Sequence, residues 1–149
     1  MLGWLKTNAA KARETLTTEV AKHKNRKFMD ATTAACAMVA AASGGVSSDE
    51  KQKMTGFITN SPELKVFNLS DVIASFNDSV GKFEFDHQIG QAQALQTIGK
   101  IKGDNGAARL LVRVACAIGA SDGDFDEKEK AACRLICLEL GLPPADFEL

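Results

Sequence analysis

The chain has 149 residues, of which 45% are apolar and 25% are charged, and its formal net charge is −1, as in an ordinary globular protein. The absence of any run of about 18 apolar residues excludes a transmembrane helix, and the first residues lack the basic-then-apolar order of a signal peptide. We therefore expect a cytoplasmic protein, in which helices predominate because prolines are few and tyrosine is absent.

The first predicted helix covers residues 2 to about 22 and has one apolar face. Its apolar residues recur at steps of three or four: Leu5, Ala9, Ala12, Leu16 and Val20. Residues 1–27 carry seven Lys and Arg against two Glu, a net charge of +5. The rest of the chain carries eleven Lys and Arg against seventeen Asp and Glu, a net charge of −6. This polarity predicts two surfaces with different partners.

The basic segment 1–27 has two interpretations. Trp4 and Leu5 ahead of scattered lysines are typical of an amphipathic helix that binds an anionic membrane surface, here the inner face of the membrane. The alternative is a helix that packs on the core and keeps its basic face in solvent. Nucleic acid is not an expected partner, because aromatic residues are few and the rest of the chain is acidic.

Two segments rich in small residues, 27–42 and 107–120, are expected to form helices at the centre of the core. Between them, Ser47 and Glu50 have the spacing of a capping box, which begins a helix by pairing each side chain with the other residue's backbone N–H. That helix should end near Asn60, two residues before a proline.

Residues 63–67 predict a short helical turn, after which Asn68 or Ser70 should cap a longer helix. Asp86 should cap the helix that follows. The apolar positions of these two helices are Val72, Phe76, Val80, Phe83, Ile89, Ala92, Leu95 and Ile98.

The last long helix should run from residue 126 to about residue 140, with Gly141 as its C-terminal cap. No segment shows the alternation expected of a strand. The sequence therefore predicts an all-α fold, with one domain of about seven helices covering residues 1–149.

One ten-residue pattern occurs twice, at residues 42–51 and at residues 121–130. Each copy follows a small-residue helix and contains a glycine, a capping residue and a Glu three positions after the cap. The duplication predicts two helix–turn–helix units, roughly 30–58 and 108–140, that pack as a pseudo-symmetric pair.

The second copy is dense in carboxylates, with five of them in eight residues: Asp122, Asp124, Asp126, Glu127 and Glu129. Oxygen clusters of this kind suit a hard divalent cation, Ca²⁺ or Mg²⁺ rather than Zn²⁺. A standard calcium-binding loop is not expected, because Glu127 stands at its glycine position and Cys133 at its final glutamate position. Glu50 from the first copy could approach Glu129 if the two units pack about a local two-fold axis.

The alternative interpretation of this turn needs no cation. Asp126 as N-cap, Glu129 as its capping-box partner and Glu127 in the first turn would each stabilise the helix by about 0.3–1 kcal/mol. Asp122 and Asp124 precede the cap and are not explained in this way. The candidate metal ligands are therefore Asp122, Asp124, Asp126, Glu129 and Glu50.

The four cysteines lack the spacing of a secreted disulfide framework. Cys36 and Cys116 fall in the small-residue helices, and Cys133 and Cys137 share one face of the last helix. We expect buried thiols, because no neighbouring Cys or His completes a zinc set. Signatures of catalysis are also missing: the chain has no phosphate loop, nucleophile elbow or zinc-protease motif, so we do not expect an enzyme.

Several separate motifs, in the right order over nearly the whole chain, resemble the tellurite-resistance TerB family. They occupy residues 25–29, 43–54, 61–67, 83–86 and 121–126. The resemblance implies a helical cytoplasmic protein that acts as a non-enzymatic partner in tellurite resistance and stress response. It implies association with an integral membrane protein of the TerC type and with calcium-binding TerD-type proteins.

The resemblance also implies a divalent-cation site at the acidic turns. The family's Asp-Gly…Glu turn matches Asp122, Gly123 and Glu129 in the second copy, and Gly44 and Glu50 in the first. Ser43 stands where relatives often have Asp, which removes one carboxylate from a symmetric site. The rival hypothesis is a protein that handles tellurium oxyanions directly by thiol redox chemistry at Cys133 and Cys137.

Overall fold

Helices dominate the computed structural model of this chain, which describes residues 3, 9–23, 25–42, 46–120 and 125–149, without the side chains of Ala9 and Glu50. Across these residues the α-helices are α1 (Ala9–Lys22), α2 (Arg26–Ala40), α3 (Ser48–Thr59), α4 (Leu69–Phe85), α5 (His87–Gly99), α6 (Asn105–Gly119) and α7 (Glu127–Glu139). Two short 3₁₀ helices, η1 (Pro62–Leu64) and η2 (Pro144–Phe147), complete the order. The all-α prediction is confirmed, and the described residues contain no strand.

The small-residue helix α2 lies at the centre of the core, as predicted. It packs against α4, α5, α6 and α7, and its side chains are buried on every face along residues 31–39. Four of these nine residues are alanine and three more are Thr or Cys, so neighbouring helices can approach closely from several directions. The second small-residue helix, α6, packs directly on α2 and is also buried over most of its length.

Side-chain caps fix where the helices begin. The Asn68 Oδ1 atom accepts the backbone N–H of Asp71 at 3.2 Å, so Asn68 and not Ser70 caps α4. Asp86 caps α5 as predicted, with its Oδ1 atom 3.0 Å from the backbone nitrogen of Ile89. A satisfied cap contributes about 1 kcal/mol to helix stability.

The α5 helix is rotated relative to its predicted apolar face. Ile98 is buried as predicted, but Ile89 and Ala92 are exposed, and Gly90 and Ala94 are buried in their place. The reason is a close approach to α4: a Cβ atom on Gly90 would lie 2.6 Å from the Cα atom of Phe83. The helix therefore turns its glycine towards α4, and the larger Ile89 side chain faces solvent.

The first helix packs on the core, where Leu16 and Val20 are buried. It contacts η1 and α6, so the described part of the basic segment agrees with the core-packed interpretation. Trp4 and Leu5, on which the membrane interpretation depends, lie outside the described residues.

The predicted pseudo-symmetry is not confirmed. The equivalent helices α2 and α6 do pack together, and α7 contacts both of them. However, among the described residues α3 makes its principal contacts with α4 and α2, whereas its counterpart α7 makes its principal contacts with α2, α6 and α5. In the part of the chain that the structure describes, no helix combines the length and the apolar character needed to cross a membrane.

Candidate functional site: the acidic start of α7

The start of α7 is a complete capping box. The Asp126 Oδ1 atom accepts the backbone N–H of Glu129 at 2.8 Å, and the Glu129 Oε1 atom accepts the backbone N–H of Asp126 at 3.1 Å. Each carboxylate thus satisfies a backbone donor that has no partner within the helix. The capping interpretation is confirmed for these two residues, and both negative charges lie at the positive end of the α7 dipole.

The residue just before the cap anchors the turn to the core. Phe125 is buried, and a Cβ atom on Gly119 would lie 3.1 Å from its ring and 3.2 Å from the Cγ1 atom of Val39. Gly119 therefore provides the space that Phe125 occupies. This contact fixes the position of the capping box relative to the end of α6.

The third acidic residue of this helix start, Glu127, belongs to an ion-pair network. Its carboxylate lies 3.3 Å from the Nη2 atom of Arg134 and 3.7 Å from the Nζ atom of Lys130. All three side chains are at least partly exposed, so the network contributes little to stability. Its two cations nevertheless balance Glu127, which is not one of the predicted ligands. Asp126 and Glu129 are the predicted ligands whose side chains the structure describes.

The complete predicted ligand set extends beyond the described residues. Asp122, Asp124 and the side chain of Glu50 lie outside them. Among the residues that are described, no group of three or more His, Cys, Asp or Glu side chains could hold a metal ion. Asp126 and Glu129 fit the chemistry of a hard-cation site, since both offer carboxylate oxygens, but they supply only part of one.

All four cysteines are buried free thiols, as predicted. Burial, and then the negative charge of Glu63, raises the pKa of Cys36 to about 12. Burial likewise raises the pKa of Cys137 to about 12, and a hydrogen bond with Cys116 followed by burial raises the pKa of Cys133. Since the thiolate is the reactive form, these thiols are poor nucleophiles in the folded protein.

A buried carboxylate at η1 escaped the sequence analysis. Glu63 is fully buried, and its Oε2 atom accepts hydrogen bonds from Ser61 and, at 2.8 Å, from the Nη2 atom of Arg13 on α1. Its Oε1 atom has no hydrogen-bond partner within the described residues. From the sequence, the only sign of this ion pair was a charged residue within the motif 61–67, because Arg13, the partner of Glu63 on α1, is 50 residues away.

Comparison with known proteins identifies the family. A protein-family model described as "Tellurite resistance protein TerB" matches residues 29–149. The chain belongs to the TerB family. A "Tellurium resistance protein TerB" from Alcaligenes sp. is 50% identical over 102 residues, which cover 68% of this chain and 84% of the relative. No solved structure matches the chain significantly.

The TerB match includes both acidic turns, all four cysteines and Glu63, but it begins after α1. Arg13 therefore lies outside the matched range, although its ion-pair partner lies within it. In this chain α1 is joined to the TerB region by that ion pair and by the buried side chains of Leu16 and Val20.

Proposed function

We propose that this TerB-family protein is a non-enzymatic cytoplasmic adaptor in tellurite resistance. The observation that supports the proposal best is the burial of all four thiols, three of them with a raised pKa. Direct reduction of a tellurium oxyanion would require an accessible thiolate. Without that chemistry, the protein acts through the surfaces it presents to partners.

The acidic surface of the adaptor binds a divalent cation, Ca²⁺ or Mg²⁺ in preference to Zn²⁺. Asp126 and Glu129 lie together at the start of α7, and Asp122, Asp124 and Glu50 are the further proposed ligands. The cation would neutralise the carboxylates and change the surface that another protein meets, which is a local switch.

Asp126 allows cation binding to be tested separately from helix capping. Asparagine caps a helix as well as aspartate does, so Asp126→Asn should keep the cap and lose one ligand charge. Calorimetric titration with Ca²⁺, Mg²⁺, Mn²⁺ and Zn²⁺ should give saturable heat for the wild type and weaker binding for Asp126→Asn. Glu127→Gln is the matched control, because Glu127 is already paired with Arg134 and Lys130. The absence of heat at millimolar Ca²⁺ and Mg²⁺ would end the cation proposal.

The partners in this proposal are a TerC-type integral membrane protein and TerD-type proteins. The basic segment 1–27 would face the membrane protein or the anionic inner surface of the membrane, while the acidic turns face the other partners. Co-purification from the native host, with and without a chelator, tests this arrangement. Recovery of the same partners in both conditions would show that partner binding does not depend on the cation.

A further inference from the structure

A polar cavity of about 250 Å³ lies between α2, α4 and α5, and none of its lining residues belongs to the proposed cation site. Three cationic side chains line it, one from each helix or its C-terminal cap: Arg26, Lys82 and Lys100. Three hydroxyl side chains also line it: Ser75, Ser79 and Thr97. Among the described residues, the only carboxylates in the lining are Asp30 and Asp78, so these lining residues carry a net positive charge although the chain as a whole is acidic.

The two carboxylates are held by weak pairs. Arg26 lies 3.3 Å from Asp30, and Lys82 lies 3.2 Å from Asp78. Both pairs are at least partly exposed, and each joins residues four apart on its own helix, an arrangement worth about 0.3–0.5 kcal/mol. An anionic ligand that offers a better acceptor can therefore replace either carboxylate as the partner of Arg26 or Lys82. Lys100 has no ion-pair partner among the described residues, so its ammonium group is available to a ligand.

The hydroxyl groups are not equivalent. Ser75 donates to Asp30 at 2.8 Å and lies 2.6 Å from the hydroxyl oxygen of Thr33, and Thr97 donates to the backbone oxygen of Gln93. Ser79 has no hydrogen-bond partner within the described part of the chain, so its hydroxyl can donate to a ligand. Among the described residues, the cavity thus combines an unpaired ammonium group, an uncommitted hydroxyl group and two cations whose carboxylate partners can be displaced.

We propose that this cavity binds a phosphate-class oxyanion. Such an anion presents several acceptor oxygens around one centre, and charge-assisted hydrogen bonds from Arg and Lys are the strong contacts to it. A cation is disfavoured here because three positive side chains face the space. The site is independent of the proposed adaptor function, since it shares no residue with the acidic turns.

The neighbouring surface suggests how the source of the anion can be determined. Asp78 and Lys82 also line an adjoining cavity of about 430 Å³, beside Phe85 and Ile89. The Phe85 side chain is 81% exposed and that of Ile89 is 43% exposed. A phosphate carried by a lipid headgroup would bring acyl chains to this apolar edge, whereas free phosphate would not contact it.

Titration of the full chain with inorganic phosphate, followed by NMR amide shifts, tests the proposal. Saturable shifts should centre on residues 75–82 and 97–100. Lys100→Gln should weaken binding about tenfold, since it removes a charged hydrogen bond. Asp78→Asn should strengthen binding, because it frees Lys82 and removes a negative charge. Lys128→Gln, an exposed lysine outside the cavity, is the matched control and should leave the affinity unchanged.

Vesicles of phosphatidylcholine with and without phosphatidic acid distinguish the two sources. If Lys100→Gln and Phe85→Ser both weaken binding to phosphatidic acid vesicles, the phosphate belongs to a lipid. If free phosphate binds and the vesicles do not, the ligand is a free oxyanion. Phosphate shifts that never saturate, or that persist unchanged in Lys100→Gln, would overturn the proposal.

Discussion

The Nη2 atom of Arg13 lies 2.8 Å from the Oε2 atom of Glu63, and this ion pair joins α1 to η1 across 50 residues of sequence. Glu63 is fully buried and Arg13 is about one-quarter exposed, so the pair lies at the edge of the core. Loss of either charge would leave the other without its partner. The free-energy cost is greater when the residue left unpaired is Glu63, which has no access to water.

Replacement of Arg13 should therefore destabilise the protein more than replacement of Glu63. We expect Arg13→Met to lower the free energy of unfolding by about 3 kcal/mol, because the buried Glu63 carboxylate loses its cation. Glu63→Gln should cost less, since Arg13 can still reach solvent. Urea unfolding followed by circular dichroism measures both values.

The control for this pair is Lys22→Met, which breaks an exposed pair with Glu19 on the same helix. It should change the free energy of unfolding by no more than about 0.5 kcal/mol. If Arg13→Met were as mild as Lys22→Met, the buried pair would not be what holds α1 in place.

The contact between α4 and α5 predicts opposite effects for two glycines. A Cβ atom on Gly90 would clash with the backbone of Phe83, so Gly90→Ala should lower the free energy of unfolding by about 1–3 kcal/mol. A Cβ atom on Gly81 would have no described atom within 4 Å apart from its chain neighbours and the backbone of its own helix, so Gly81→Ala should raise the free energy of unfolding by about 0.5–1 kcal/mol through helix propensity. Thermal unfolding of the two variants compares them directly, and equal midpoints would contradict the close approach.

The helices were predictable from the sequence because their signals are local. At the helix starts, Asp86 and Asp126 each accept a backbone N–H three residues away. At the end of α7, Gly141 has a φ of 71°, and the backbone N–H of Leu142 donates to the backbone oxygen of Cys137 at 2.8 Å. Such patterns depend on neighbours in sequence. They therefore place the helices before any packing is known.

The rotation of α5 and the buried Glu63 could not be predicted in the same way. The burial of Gly90 depends on the position of Phe83 across a helix crossing, and apolar periodicity alone favours Ile89. The burial of the Glu63 carboxylate depends on its ion pair with Arg13, which is 50 residues away in the sequence. The cavity of Arg26, Lys82 and Lys100 likewise forms only when three helices meet.

The buried thiols should react only after the protein opens. At pH 8 only about 10⁻⁴ of a thiol with a pKa near 12 is thiolate, which applies to Cys36 and Cys137. Labelling with a chromophoric disulfide reagent should be slow in buffer and rapid in urea for all four cysteines. Rapid labelling of Cys133 or Cys137 in the folded protein would revive the thiol hypothesis.

The raised thiol pKa values also make stability depend on alkaline pH. The folded protein holds the Cys36 proton more tightly than the unfolded chain, whose thiol titrates near 9.0. The stabilisation is therefore complete below pH 9 and is lost between pH 9 and about 12, by about 1.4 kcal/mol per pH unit. Urea midpoints at pH 8, 9 and 10 should fall less steeply for Cys36→Ala, and parallel slopes would contradict this assignment.

The capping box predicts a graded effect at one position. Asp126→Ala should lower the free energy of unfolding by about 1 kcal/mol, because it leaves the backbone N–H of Glu129 without its acceptor. Asp126→Asn should be nearly neutral, because the amide oxygen accepts the same hydrogen bond. Urea unfolding without added cations isolates this effect, and equal losses in both variants would show that the charge matters more than the cap.

Tellurite resistance in cells that lack the native protein tests the adaptor account most directly. Asp126→Asn with Glu129→Gln keeps a capping box and removes two charges, whereas Cys133→Ala with Cys137→Ala removes the rival thiols. With folding of both proteins verified by their thermal midpoints, the account predicts loss of resistance in the carboxylate variant and full resistance in the cysteine variant. Resistance that survives the carboxylate changes and disappears with the cysteines would contradict it.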